Sequence, residues 1–279
     1  MGILSGLKVF GFKNEKSKIF EESESEEIIK SEKQEEKKRI VVDEATLLFP
    51  KTYKCPICDH TFKSLAVRSG KTRNVGQDQD LRPRFKDIDP IKYDAIVCPE
   101  CGYAAIARYF DYVMPIQAKK IRKKIMSSFS GITLSKDKYS YEEALTHYKL
   151  VLMSDVVGDV PNSRKAYTCL KMAWVIRGWL ESGKNGLTQE RIEELKESEQ
   201  ECIQNAYDGY IKAFSTEAFP MSGMDEMTLS YLLAQLAFSL GKYKDSVRML
   251  SNILGNKNVS DRIKDKAVLL KEQIRDTVK

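Results

Sequence analysis

Four of the six cysteines in this 279-residue chain fall into two matching C-x2-C pairs. Cys55 and Cys58 enclose Pro-Ile, and Cys98 and Cys101 enclose Pro-Glu and are followed by glycine. A C-x2-C turn directs two thiolates at one point, and its backbone N–H groups stabilise their charge. Two such turns that face each other supply a tetrahedral shell of four thiolates. The spacing therefore predicts one metal ion held by these four residues.

The shell suits Zn2+ in a closed structural site, and it suits iron as well. Zinc is the prediction, because nothing in the sequence indicates an electron-transfer partner. The 39 residues between Cys58 and Cys98 exceed the roughly 15–20 that are usual in such modules, so residues 74–90 are predicted to form an inserted surface loop. A labile four-thiolate site would instead make a redox or metal-sensing switch.

The remaining histidines and cysteines lie outside this pattern. His60 follows Cys58 closely and is interpreted as a surface residue or a neighbour of the ligands, since four thiols already complete the shell. His147 has no other histidine nearby and is interpreted as a packing or surface residue. Cys169 and Cys202 fall on apolar helical stripes and are predicted to behave as small buried hydrophobes.

The net charge of +6 is concentrated in one part of the chain. Residues 51–126 hold 16 basic and 8 acidic side chains, whereas residues 127–279 hold 21 of each. Lys and Arg replace phosphate counterions, so this surplus raises an alternative in which the protein associates with RNA or DNA. The candidate contacts are Lys63, Arg68, Lys71, Arg73, Arg82, Arg84, Lys119, Lys120, Arg122, Lys123 and Lys124. The competing interpretation is a solvated basic face.

Two kinds of element must position these side chains. Residues 51–110 alternate β-favouring pieces with turn signals, and Phe62 to Val67 is predicted to be a strand. After Tyr103 the apolar period becomes helical. A first helix opens at Pro115 and is predicted to extend its apolar face to Phe129, and further stripes predict at least six helices with short connections.

Two joints resemble tetratricopeptide (TPR) units. Leu240-Gly241-Lys242-Tyr243 is similar to the hinge between the two helices of that repeat, and the stretch from Tyr139 to Ala144 is similar to the opening of its second helix. The predicted fold is mainly α: a small four-cysteine, zinc-ribbon-like β module followed by a TPR-like antiparallel helical array, with an unrelated helical bundle as the alternative.

The composition divides the chain into three parts. Residues 1–42 are predicted to be a charged, disordered leader, residues 43–112 a metal-binding module and residues 113–279 the helical domain. The chain contains no run of about 18 apolar residues, so no membrane span is predicted. No signal peptide is recognised at the start, and a cytoplasmic protein is therefore expected.

The cysteine block also carries a family resemblance. The segments from Lys54 to Ser64, from Val67 to Lys71 and from Tyr93 to Ala105 resemble an uncharacterised bacterial family, a domain of unknown function with a four-cysteine start followed by TPR-like helices. The resemblance covers about residues 45–275. It implies that the four cysteines are ligands and that the protein is cytoplasmic and bacterial, and it implies no activity.

The sequence holds no enzyme motif of the P-loop, G-x-G-x-x-G, H-E-x-x-H or G-x-S-x-G type. The prediction is a non-enzymatic zinc-binding scaffold whose helical groove takes a protein or peptide partner, as paired-helix repeats do. A small-molecule substrate is not expected.

Overall fold

The structure, a computed structural model, describes residues 42–182 and 186–278. Small two-stranded sheets come first and a helical array follows, which confirms the predicted mainly α architecture. The residues from Asp43 onward form one compact unit. Residues 1–41 of the predicted leader lie outside the described residues, and the predicted domain boundary at residue 112 stays a prediction.

The β part consists of three antiparallel hairpins. Strand β1 (Leu48–Lys54) pairs with β2 (Thr61–Val67), β3 (Asn74–Gln77) with β4 (Pro83–Phe85), and β5 (Ala95–Val97) with β6 (Ala104–Ile106). Single 3-10 turns lie at Glu44–Leu47, Pro90–Tyr93 and Ala107–Tyr109. The strand predicted from Phe62 is confirmed as β2. The prediction of a surface loop over residues 74–90 is wrong in part, because β3 and β4 form a hairpin there.

Seven α-helices are present among the described residues. They are α1 (Pro115–Ile121), α2 (Tyr141–Gly158), α3 (Asn162–Ser182), α4 (Gln189–Thr216), α5 (Glu226–Ser239), α6 (Tyr243–Gly255) and α7 (Asp261–Val278). Helix α1 continues into a π turn, Arg122–Met126. None of the helices in the described ranges is long and apolar enough to cross a lipid bilayer.

Side-chain caps fix the starts of three of these helices. Ser140, Thr188 and Asp225 each precede a helix and accept a hydrogen bond from the backbone N–H three residues further on. Such a cap satisfies one of the N–H groups that have no partner within the helix and contributes about 1 kcal/mol.

The largest core joins the β5–β6 hairpin to the helices. Val97, Ala104 and Ile106 lie in one buried cluster with Tyr148 of α2 and Leu170 of α3. The hydroxyl of Ser154 in α2 accepts a hydrogen bond of 3.1 Å from the backbone N–H of Ala104. This hairpin is therefore built into the helical core, and the turn between its strands is positioned by that core.

The first helix is shorter than its sequence predicts. Ala118, Ile121 and Ile125 are buried as expected, but α1 ends at Ile121 and the π turn ends at Met126. The predicted helical face therefore does not reach Phe129. The Phe129 ring instead lies against Gly102, where an added Cβ atom would come within 2.6 Å of it.

Candidate metal centre

The first cysteine turn connects β1 to β2. The backbone N–H of Cys55 donates to the carbonyl of His60 at 2.9 Å, and the N–H of Asp59 donates back to the carbonyl of Cys55 at 3.0 Å. The N–H of Ile57 points at the Cys55 sulfur, 3.4 Å away. These bonds close a tight loop whose backbone N–H groups face a sulfur atom, which is the arrangement that stabilises a thiolate.

The second turn connects β5 to β6 and repeats the same backbone pattern. Cys98 N–H donates to the carbonyl of Tyr103 at 2.8 Å, and Gly102 N–H donates to the carbonyl of Cys98 at 3.1 Å. The residue four positions after the first cysteine is left-handed in both turns, Asp59 with φ 61° and Gly102 with φ 74°. The two turns are thus equivalent in backbone geometry.

The two turns bring all four sulfur atoms together. Every Sγ of Cys55, Cys58, Cys98 and Cys101 lies within 4.8 Å of the others. Two of the contacts join different turns, 3.5 Å between the Sγ atoms of Cys55 and Cys101 and 3.6 Å between those of Cys58 and Cys98. A tetrahedral shell with zinc–sulfur bonds of about 2.3 Å places its sulfurs about 3.8 Å apart. The four donors therefore fit one tetrahedral ion.

The electrostatics of the cluster also favour a cation. Hydrogen bonds with the Cys101 and Cys55 thiols lower the pKa of Cys98, whereas hydrogen bonds with Cys55 and Cys98 raise the pKa of Cys101. Without a cation, one thiolate at this point holds its neighbours in the protonated form, because like charges repel at such short distances. A divalent ion between the sulfurs would remove that repulsion and let all four ionise.

An apolar shell surrounds the cluster. Cys55, Cys98 and Cys101 are buried and Cys58 is half-buried. Ile57 and Phe62 from the first hairpin pack with Phe110, Ile121 and Ile125 around the sulfurs. This shell limits the access of water to the site, and a protected site suits a structural ion.

The segment from α1 to residue 132 contacts both turns. The guanidinium Nε of Arg122 donates to the carbonyl of Ile57 at 2.8 Å, and the N–H of Ile132 donates to the carbonyl of Pro99 at 3.1 Å. Phe129 covers Gly102. The sequence identified Arg122 only as a basic residue, and no spacing rule indicated that it holds the first turn.

The side chains of the two histidines and of the other two cysteines are not part of the cluster. His60 is exposed and stacks on Phe62, with ring centroids 6.3 Å apart. His147 is buried against Tyr139. Burial lowers the pKa of His147 by more than the Glu143 carboxylate raises it, so this pKa lies below its usual value. Cys169 and Cys202 are buried in the helical core, and burial raises their thiol pKa to about 11 and about 12. Both therefore behave as the predicted buried hydrophobes.

Several predicted nucleic-acid contacts are engaged within the protein. Arg82 is buried and bonds Asp89 and Glu181, both at 3.2 Å. Arg84 bonds Glu181 and Asp78. Arg68 donates to the carbonyl of Leu48, Arg122 to that of Ile57, and Lys120 pairs with Asp159. Eight members of the predicted set are exposed: Lys63, Arg68, Lys71, Arg73, Lys119, Arg122, Lys123 and Lys124.

The ion pairs of Arg82 and Arg84 also explain the β3–β4 hairpin. Glu181 lies at the end of α3, and its bonds to both arginines attach the hairpin to that helix. The Asp and Arg side chains whose abundance favoured a surface loop therefore form contacts within the compact unit.

The comparisons with known proteins agree with the family resemblance. No curated protein and no solved structure shows significant similarity to the chain. Residues 48–276 match a family described as an uncharacterized protein conserved in bacteria (DUF2225), and the match includes all four cysteines and all seven helices apart from the last two residues of α7. The chain belongs to that family.

Proposed function

We propose that the protein is a non-enzymatic scaffold in which a structural zinc ion joins two hairpins and a helical array receives a protein or peptide partner. The observation that carries the metal part is the approach of four sulfurs within 4.8 Å from two turns of the same backbone geometry. Four thiolates fill the tetrahedral shell of Zn2+, so this ion would be held without an open position for a substrate.

The geometry supports a holding role for the ion. The two turns belong to separate hairpins, β1–β2 and β5–β6, which are not paired with each other as strands. Each short sheet has two strands, and an isolated two-stranded hairpin is marginally stable in water. A shared ion would join them at one point and contribute binding free energy to folding.

The array supports the scaffold part. Helices α2 to α7 follow one another through short connections, and neighbouring helices pack along the chain, with α3 against α4 and α6 against α5 and α7. Stacked helix pairs of this kind expose extended surfaces that bind peptides and helices.

Metal content tests the first part. We expect the purified full-length chain to hold one zinc per chain by mass spectrometry of the released metal, and the Cys98→Ser variant to hold markedly less. A Cys169→Ser variant, which changes a thiol outside the cluster, should retain the wild-type amount. A coloured protein that contains iron would replace zinc by iron in the proposal. Metal-free protein would contradict the metal part of the proposal.

Affinity capture of the full-length chain from its native cells, with and without nuclease, tests the second part. A scaffold retains its protein partners after nuclease treatment. Loss of all partners on nuclease treatment would contradict the scaffold.

The exposed basic residues favour a second candidate, association with RNA or DNA. Eight of the eleven predicted contacts are exposed, on β2, between β2 and β3 and on α1 with its π turn. Binding through phosphate contacts weakens steeply with salt. For this candidate we expect the full-length chain to be retained on immobilised nucleic acid and to be released as salt increases. The Lys123→Glu variant should be retained less than the wild type.

A further inference from the structure

The last two helices leave an apolar groove open on the surface. The groove, of about 880 Å3, is lined by both α6 and α7. Its apolar lining includes Tyr243, Val247 and Leu254 from α6 and Val268 and Val278 from α7. Val247, Val268 and Val278 are 37%, 43% and 61% exposed.

These helices therefore carry apolar residues beyond those that the rest of the protein covers. Leu250 and Ile253 of α6 and Ile263, Ala267 and Leu270 of α7 are buried with α5 in one cluster. Of the groove residues, Val247, Val268 and Val278 lie outside that cluster and leave apolar surface in water. A contiguous apolar patch of this kind marks an interaction site.

The charged side chains beside the groove favour a partner that carries negative charge. Lys244, Lys271 and Arg275 line it together with the carboxylate of Glu272, and Arg275 also pairs with Asp276 at 3.3 Å. The side chains of the groove therefore carry a positive excess next to an apolar floor. An apolar segment with acidic neighbours complements both features.

The shape favours a helix as the occupant. Side chains of two neighbouring helices form ridges and grooves into which the ridges of a third helix fit. Helix α7 spans 18 residues, which is five turns or about 27 Å. A partner helix on this face presents apolar residues at i, i+3 or i+4 and i+7 to a groove of that length.

We propose that the groove between α6 and α7 binds an amphipathic α-helix of a partner protein, with an apolar stripe flanked by Asp and Glu. This inference rests on the proposed scaffold function and assigns it a site and a class of partner. The apolar stripe fills the groove, and the acidic flanks pair with Lys244 and Lys271.

The test uses the full-length chain and a labelled helical peptide of about five turns, with Leu at i, i+3, i+4 and i+7 and Glu on the flanks. We expect saturable binding by fluorescence anisotropy with a Kd of about 10 μM. A second peptide with the same stripe and Lys flanks should bind at least about tenfold more weakly. Equal binding of the two peptides, or no binding of the acidic one, would overturn the proposal.

Two variants locate the binding site. Val268→Asp should weaken binding of the acidic peptide at least about tenfold, because it places a charge in the groove. Its matched control is Val156→Asp on α2, where the replaced valine is also exposed, at 57%. Both variants should keep the wild-type circular dichroism spectrum. Equal losses in the two variants, or none in Val268→Asp, would place binding elsewhere and overturn the assignment.

Charge reversal provides an independent readout. Lys271→Glu should weaken binding of the acidic peptide and strengthen binding of the Lys-flanked peptide. A change of the same sign for both peptides would contradict the charge argument.

Sedimentation velocity tests whether a second copy of the chain occupies the groove. A dimer that Val268→Asp dissociates would show that the groove binds another copy, which overturns the proposal.

These outcomes separate the groove from the scaffold function. If Val268→Asp captures from native cells the same nuclease-resistant partners as the wild type, the groove proposal fails and the scaffold remains. If the wild-type chain captures none, the scaffold itself fails.

Discussion

The two cysteine turns share one backbone geometry and differ in their surroundings. Each closes with the same pair of backbone hydrogen bonds and holds a left-handed residue four positions after its first cysteine. In the outer turn, between β1 and β2, that residue is the exposed Asp59, and Cys58 is half-buried. In the inner turn, between β5 and β6, the corresponding Gly102 and both cysteines are buried.

This difference shows how one local motif serves two roles. The inner turn belongs to a hairpin whose strands lie in the same core as α2 and α3, so its position is set by the helices. The outer turn reaches the unit through apolar contacts around the cysteines and through Arg122. The inner turn therefore supplies a fixed half of the site, and the outer turn is held to it by the apolar contacts around the cysteines and by Arg122.

The largest effect should follow loss of a thiol that would hold the proposed ion. Structural zinc in small domains contributes about 10–16 kcal/mol, comparable to the whole stability of a domain. We expect Cys101→Ser in the inner turn to lower the midpoint of thermal unfolding, followed by circular dichroism of the helices, more than Cys58→Ser in the outer turn. Equal midpoints for the two variants would show that the two turns are equally embedded.

The next effect compares the left-handed residues. Gly102→Ala places a Cβ in a left-handed conformation and within 2.6 Å of the Phe129 ring, so we expect it to lower the free energy of unfolding by about 3 kcal/mol. Asp59→Ala introduces alanine at the same conformation in open surroundings and should cost less than about 1 kcal/mol. Urea unfolding measures both, and a larger loss for Asp59→Ala would refute the comparison.

A smaller effect should come from the contact between the π turn after α1 and the outer turn. Arg122→Ala removes the hydrogen bond to the Ile57 carbonyl and should cost about 1–2 kcal/mol. It should also speed the transfer of metal to a chelator, because the outer turn then opens more readily. The neighbouring Lys123→Ala is the control and should stay within about 0.5 kcal/mol. Identical chelation rates for the two variants would remove Arg122 from the site.

The smallest effect concerns the ion pair of the outer turn. Lys54 and Asp59 lie 3.1 Å apart, and both side chains are largely exposed. Water and salt screen such a pair, so Lys54→Ala should change the free energy of unfolding by less than about 0.5 kcal/mol. A loss above about 1 kcal/mol would mean that the outer turn depends on its surface charges.

Much of the architecture is readable from local patterns. The two joints that resemble tetratricopeptide units, from Tyr139 to Ala144 and from Leu240 to Tyr243, predicted the starts of α2 and α6, and Pro115 predicted the start of α1. These signals are local, because a helix forms its own hydrogen bonds and needs only one apolar face. The end of α1 was not predictable, since Phe129 leaves the helical face to cover Gly102, far from it in sequence.

The β3–β4 hairpin shows the same limit. Asp78, Arg84 and Pro83 are typical of a loop, and the composition predicted one. The hairpin forms because Arg82 and Arg84 bond Glu181 of α3, about a hundred residues away. Composition records the charges and gives no information about which partner each one meets.

For the candidate site, the sequence by itself determined which cysteines share a turn. A two-residue spacer and the turn residues fix Cys55 with Cys58 and Cys98 with Cys101, because the backbone bonds that shape each turn span only five residues. Only the tertiary structure decided that Cys55 approaches Cys101 and Cys58 approaches Cys98, that the inner turn is buried, and that Arg122 holds the outer one. A spacer of 39 residues leaves the two turns free to lie in many relative positions, and the packing of β5, β6 and α1 selects one.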